Sequence, residues 1–271
     1  MTRKELVDQI REKGTFLCVG LDPDLEKMPE VVKQEDDPVF AFNKAIIDAT
    51  HDLCVAYKPN TAFYEALGLE GWKSLERTIT YLNEHYPQHF TIADAKRGDI
   101  GNTSRMYAEA FLNRMGFDSI TVAPYMGSDS VQPFLSEEEG KWAIVLALTS
   151  NSGASDFQKL RSGETPIFEH VLKTSASWSS PEQMMFVVGA TQAKSLSEIR
   201  QIIPDHFLLV PGVGAQGGSL EEVVRHGANE EIGLLINSSR GILYAGSGPE
   251  YAVQARSAAQ QLAEQMAVYC S

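Results

Sequence analysis

The segment Asp94-Ala95-Lys96-Arg97-Gly98-Asp99 places two carboxylates and an ammonium close together, directly after the apolar run Phe90-Thr91-Ile92-Ala93. Alternation along a strand puts Asp94 and Lys96 on one side. If that side is an interior, the two charges enter a partly desolvated mouth. A lone buried charge there costs several kcal/mol, so opposite charges are expected as a set. A fixed ammonium in such a place can stabilise negative charge as it develops and then deliver a proton. The same residues also fit a structural ion pair, with Asp99 as the N-cap of a following helix. Two other runs end in the same way: Ala56-Tyr57-Lys58-Pro59 and Gly20-Leu21-Asp22-Pro23. Taken singly, Lys58 fits a snorkelling lysine and Asp22 a turn former before proline. Three runs ending in ionisable groups favour one shared site over three separate coincidences.

Two later segments suit an anion. Pro211-Gly212-Val213-Gly214-Ala215-Gln216-Gly217-Gly218 and Asn237-Ser238-Ser239-Arg240-Gly241 each follow an apolar run. Glycines let backbone N–H groups approach a phosphate, and Arg240 adds charge-assisted hydrogen bonds. Residues 212–217 also match the G-x-G-x-x-G dinucleotide pattern. They lie late in the chain, however, and the next strand ends in Asn237-Ser238 rather than an acidic residue. No metal motif emerges: Pro87 breaks the spacing between His85 and His89, and His51, His170, His206 and His226 are scattered. Thr149 and Ser150 have no recognisable paired base.

The elements that must position these groups are visible as short apolar runs at 15–21, 54–58, 90–96, 119–123, 143–149, 185–189, 207–210 and 232–237. Their near-continuous apolarity is that of parallel strands buried on both faces. Helix-period segments lie between them at 38–53, 71–86, 102–115, 167–178 and 195–203. Eight βα units fit a doubly wound sheet or a closed barrel, and their number favours a single (β/α)₈ TIM barrel over residues 1–271. Barrel enzymes keep their chemistry at the C-terminal strand ends and often bind phosphate after strands seven and eight, where the two glycine-bearing segments fall. The long polar stretch 150–166 reads as an irregular loop over that face, placed to act as a lid.

Composition narrows the class. A formal net charge of −13 argues against nucleic acid or an anionic membrane as partner, since both require a basic surface. Cys18, Cys54 and Cys270 show neither zinc spacing nor a disulfide framework, which suits reduced thiols. The N-terminal segment has no signal-peptide apolar region, and the longest apolar run, Trp142–Leu148, is far short of a membrane span. A soluble, cytoplasmic protein with a small-molecule substrate is expected.

The run from Asp94 to Thr103 resembles the D-x-K-x-x-D-I-x-x-T signature of the orotidine 5′-phosphate decarboxylase family, in the Lys-Arg-Gly-Asp-Ile-Gly form of its longer bacterial subgroup. Residues 211–218 resemble that family's phosphate loop, and the matching points run from Asp22 to Arg240. The resemblance implies decarboxylation to UMP and carbon dioxide without metal or organic cofactor. It implies a charge network of Lys58, Asp94, Lys96 and Asp99, with Lys96 protonating pyrimidine C6. Asp99 and Thr103 would reach in from the neighbouring subunit of a homodimer. Asp22 and Thr103 fall at ribose positions, with Ile100 beside the substrate. Pro211 lies on the carboxylate side, and Ser150 (or, one residue earlier, Thr149) at the pyrimidine. Gln216 and Arg240 contact phosphate, with Gly212, Gly214, Gly217, Ser239 and Gly241 forming the cradle. The nearest rival is a magnesium-dependent sugar-phosphate decarboxylase or aldolase on a related barrel; a non-catalytic nucleotide binder is another.

Overall fold

Eight short apolar strands, each too hydrophobic to leave either face in water, close on one another as a ring in the computed structural model, which describes residues 1–135, 138–213 and 217–270. They are β1 (Leu17–Leu21), β2 (Ala56–Pro59), β3 (Phe90–Arg97), β4 (Ser119–Val122), β5 (Trp142–Leu148), β6 (Met184–Val188), β7 (Phe207–Pro211) and β8 (Leu234–Ser238). Every neighbouring pair is parallel, and β1 pairs with β8 to complete a (β/α)₈ barrel. All eight expected strands are present, with no boundary displaced by more than two residues.

The helices lay apolar stripes on the outside of this ring. Asp37 caps the Pro38–Thr50 helix by accepting from Phe40 N at 3.0 Å, and Val39, Phe42, Ile46 and Ile47 form its buried face. The Gly68–His85 helix buries Leu75, Ile79 and Leu82 in the same way. The bottom of the barrel is plugged by the Arg3–Lys13 helix, whose Leu6, Val7 and Ile10 are buried. Arg3 pairs with Glu231 at 2.7 Å and lies over the Phe207 ring at the start of β7. The C-terminal strand ends are the open face. No helix among the described residues is long and apolar enough to cross a membrane.

Three local expectations change. The helix expected over 102–115 is α-helical only over Gly101–Ala108 and continues as a π-helical turn, Glu109–Arg114. The wider turn lets the adjacent Phe111 and Leu112 both bury, beside Phe117. The cap of that helix is Ile100; Asp99 instead accepts from Ile100 N at 2.7 Å through its carboxylate and from Ser104 Oγ at 2.7 Å through its carbonyl. The stretch 150–166 is organised, with a short helix at Ala154–Phe157 and a two-stranded ribbon pairing Arg161–Ser162 with Thr165–Pro166. Gly163, at φ 63°, makes the ribbon's turn possible. These pieces are too short to show periodicity in sequence.

Candidate active site

Strand ends ring a cavity of about 330 Å³ at the open face. Its apolar floor includes Leu146, Val187 and Leu209, paired in register across β5, β6 and β7. On one wall, β2 and β3 deliver Lys58, Asp94 and Lys96. Lys58 Nζ donates to Asp94 Oδ2 at 2.7 Å, and Lys96 Nζ to Asp94 Oδ1 at 2.5 Å. Thr121 on β4 adds a third donor, Oγ1 to Asp94 Oδ1 at 3.1 Å. Burial alone would favour a neutral Asp94, but Lys58 and Lys96 outweigh it and hold the carboxyl well below the usual range. Burial likewise opposes charge on Lys58, and the Asp94 and Asp22 carboxylates hold its ammonium above the ordinary value.

The two lysines differ in access. The Lys58 side chain is 5% exposed, whereas that of Lys96 is 50% exposed and presents its ammonium to the opening. Lys96 reaches this position by an unforeseen route. Its backbone is left-handed, φ 47°, and the β3–β4 register breaks between Ala93 and Arg97, so simple strand alternation does not account for its pairing with Asp94.

Asp22, at the end of β1, lines the same wall, and its Oδ1 is buried without a hydrogen-bond partner among the described residues. Two phenols fix the backbone around it. Tyr64 donates to Leu21 O at 3.0 Å; Tyr244 donates to Asp22 O at 2.9 Å and accepts from Asp24 N at 2.7 Å. A buried carboxylate oxygen without a donor is costly, which suits a site that receives hydroxyl groups from a ligand.

The opposite wall is Pro211, the last residue of β7, with Gly212 and Val213 after it, and Asn237 and Ser238, which end β8, with Ser239 and Arg240 after them. Gly212 and Gly217 have φ of 97° and 85°, and Gly218 N donates to Gly212 O at 3.2 Å, pinching the loop at its base. Gly214 and Gln216 lie outside the described residues. Arg240 is exposed and its side chain makes no hydrogen bond or ion pair among the described residues; Gly241 follows it in the short Arg240–Leu243 helix. Gly20 permits this approach of β8 to β1, because a Cβ there would stand 1.8 Å from Ser239 Oγ. Thr149, Ser150 and Asn151 line a third side, and the Gln158 side chain holds Thr149 by accepting from its N at 2.8 Å.

Asp22, Lys58, Asp94, Lys96, Ser150, Pro211, Gly212, Ser239 and Arg240 therefore meet around one opening. Asp99, Ile100 and Thr103 do not line it; Ile100 and Thr103 are exposed outside the rim. The residue-by-residue reading missed Thr121, Asn60 and Asn151, and named Asn237 only as part of the 237–241 segment. Asn60 and Asn237 stand at strand ends beside residues that were singled out, which was a usable signal. Thr121 had only its polarity within Ser119-Ile120-Thr121-Val122.

Such a mouth defines the class: a (β/α)₈-barrel protein carrying its charged groups at the C-terminal rim. The chain belongs to the Orotidine 5'-phosphate decarboxylase / HUMPS family, whose sequence model it matches over residues 15–255. It is 61% identical over 267 residues to the orotidine 5'-phosphate decarboxylase of Christiangramia forsetii, covering 98% of each chain. Identity to the protein of that name from Bacteroides fragilis is 58% over 269 residues, covering 98% of this chain and 97% of the relative. The solved Leishmania donovani OMP decarboxylase superimposes with a TM-score of 0.84 at 35% identity, covering 100% of this chain and 99% of that one.

Proposed function

We propose that this chain is a carboxy-lyase that converts orotidine 5′-phosphate to UMP and carbon dioxide, the last step of de novo UMP synthesis, without metal or organic cofactor. The observation that carries the reading is the pair of lysines converging on Asp94 across the opening from Pro211, Gly212 and Val213 and from Asn237 to Arg240. In the proposed reaction the bond between C6 and the carboxylate carbon breaks, carbon dioxide leaves, and the electron pair stays at C6. The Lys96 ammonium stabilises that charge as it forms and then gives C6 its proton. Asp94, kept ionised by both lysines, accepts from Lys96 Nζ and so orients it. Lys58, walled in behind Asp94, keeps that carboxylate in place.

Asp22 takes the ribose hydroxyls, an assignment its unpartnered buried oxygen supports. Ser150 meets the pyrimidine and Pro211 borders the departing carboxylate. Gly212, Gly214, Gly217, Ser239, Arg240 and Gly241 hold the phosphate, with Gln216 linking it to the base. The Arg240 side chain supports this assignment by standing free of protein partners among the described residues. Asp99, Ile100 and Thr103 serve a second copy's cavity in a cytoplasmic homodimer. That arrangement is supported by their position outside their own cavity and by the exposed Met106 on the Gly101–Ala108 helix that begins beside them.

The deciding experiment follows orotidine 5′-phosphate by absorbance in excess chelator, with UMP and carbon dioxide measured as products. Chelator-insensitive release of both in equal amounts is expected. Turnover abolished by chelator would favour a magnesium-dependent barrel lyase, and nucleotide binding without carbon dioxide release would sink the enzymatic reading.

A further inference from the structure

Between the pairings Ala93↔Ile120 and Arg97↔Val122, three residues of β3 (Asp94, Ala95 and Lys96) stand opposite one residue of β4, Thr121. The ladder cannot continue through such a mismatch, and a side chain fills the gap. Lys96 N donates to Thr121 Oγ1 at 2.9 Å, and Thr121 Oγ1 donates to Asp94 Oδ1 at 3.1 Å. A hydroxyl has one proton to give and lone pairs to receive, so both bonds hold at once. The oxygen of Asp94 that takes the Thr121 proton is the one that takes the Lys96 ammonium at 2.5 Å. Amide, hydroxyl, carboxylate and ammonium thus form a closed ring that begins and ends on Lys96.

The ring has a conformational task. A non-glycine residue in the left-handed region is disfavoured by about 1–3 kcal/mol and persists only where its surroundings hold it. Lys96, with φ 47°, has its amide held by the Thr121 hydroxyl, and Thr121 is itself buried. We propose that Thr121 is a positioning residue for the proton donor: its hydroxyl ties the left-handed backbone of Lys96 to Asp94 and so aims the Lys96 ammonium into the cavity. The inference rests on the decarboxylase reading for its kinetic consequence and on geometry alone for its structural one. Valine at this position keeps the shape but leaves the Lys96 amide without its acceptor and Asp94 Oδ1 with one donor fewer. Serine keeps the hydroxyl and loses only a methyl.

Two variants test it, Thr121→Val and Thr121→Ser, with kcat and KM for orotidine 5′-phosphate, UMP affinity and crystal structures as readouts. Misplacing a catalytic group by an ångström costs up to about a hundredfold, so Thr121→Val should lower kcat by about tenfold to a hundredfold while UMP affinity stays near wild type. Thr121→Ser should restore most of kcat. In crystals of Thr121→Val, Lys96 should leave the left-handed region and its ammonium should lose hydrogen-bonding distance to Asp94. A Val variant with wild-type kcat, or a Ser variant as slow as Val, overturns the proposal. So does an unmoved Lys96 in the Val structure, whatever the activity. If Thr121→Val fails to fold, Thr121→Ala against Thr121→Ser makes the same comparison. Absence of turnover in the wild-type protein refutes the decarboxylase reading instead, and the crystallographic comparison still decides the role of Thr121.

Discussion

Two lysines share one carboxylate in this barrel mouth, and their surroundings separate their work. Lys96→Ala should abolish turnover yet leave UMP binding largely intact; a UMP titration beside the decarboxylation assay checks both halves. Lys58 is a different case, because its removal strands a buried Asp94 charge without its inner partner. Lys58→Ala should cost about 3 kcal/mol or more of stability in a denaturant titration, in addition to activity. If Arg240 holds the phosphate as proposed, Arg240→Ala removes charge-assisted hydrogen bonds to it, and kcat/KM should fall by about tenfold or more with the fold intact. Much of this was legible in the residues, since Asp22, Lys58 and Asp94 end apolar runs. The part played by Thr121 was hidden: nothing in the spacing of Asp94 and Lys96 announces a broken ladder between them.

At the scale of elements, a barrel works by bringing strand ends together at fixed distances. Gly20 shows how tight that spacing is: a Cβ there would press into Ser239 and push the β8 loop outward. Gly20→Ala should therefore weaken UMP binding more than it changes thermal stability, a contrast that calorimetry and a melting curve measure together. The rim outside the cavity makes a separate prediction. If Asp99 serves a second copy, Lys96→Ala and Asp99→Ala subunits, each inactive alone, should regain one working site when mixed. A verified heterodimer without activity counts against sharing. The strands were legible because burial on both faces writes itself as unbroken apolar runs. The pieces within 150–166 were not, because four-residue helices and two-residue strands carry no period, and the π-helical turn answers to packing around Phe111 rather than to local preference.

The whole molecule should be acid-sensitive through groups far from the mouth. Burial, then Lys13 nearby, lowers His89 from 6.5 to about 4; burial, then Arg3 and Arg200, does the same to His206. A depressed histidine binds its proton in the unfolded chain before the folded one. Stability is therefore intact above about pH 6.5 and lost as pH falls toward 4, by up to about 1.4 kcal/mol per pH unit for each histidine. Carboxylates such as Asp94, held low by their partners, contribute only below that window. His206→Leu should flatten the fall of melting temperature between those limits, and an unchanged slope would exclude His206 as a source.

The seam between β1 and β8, where Cys18 stands opposite Asn237, has a consequence for how the protein comes into being. Asp22 and Arg240 flank that seam from opposite ends of the chain. If both residues grip the nucleotide as proposed, a nascent polypeptide can assemble seven strands and still hold none. Ligand capture during refolding would time the docking of the last strand, not the earlier collapse of the core.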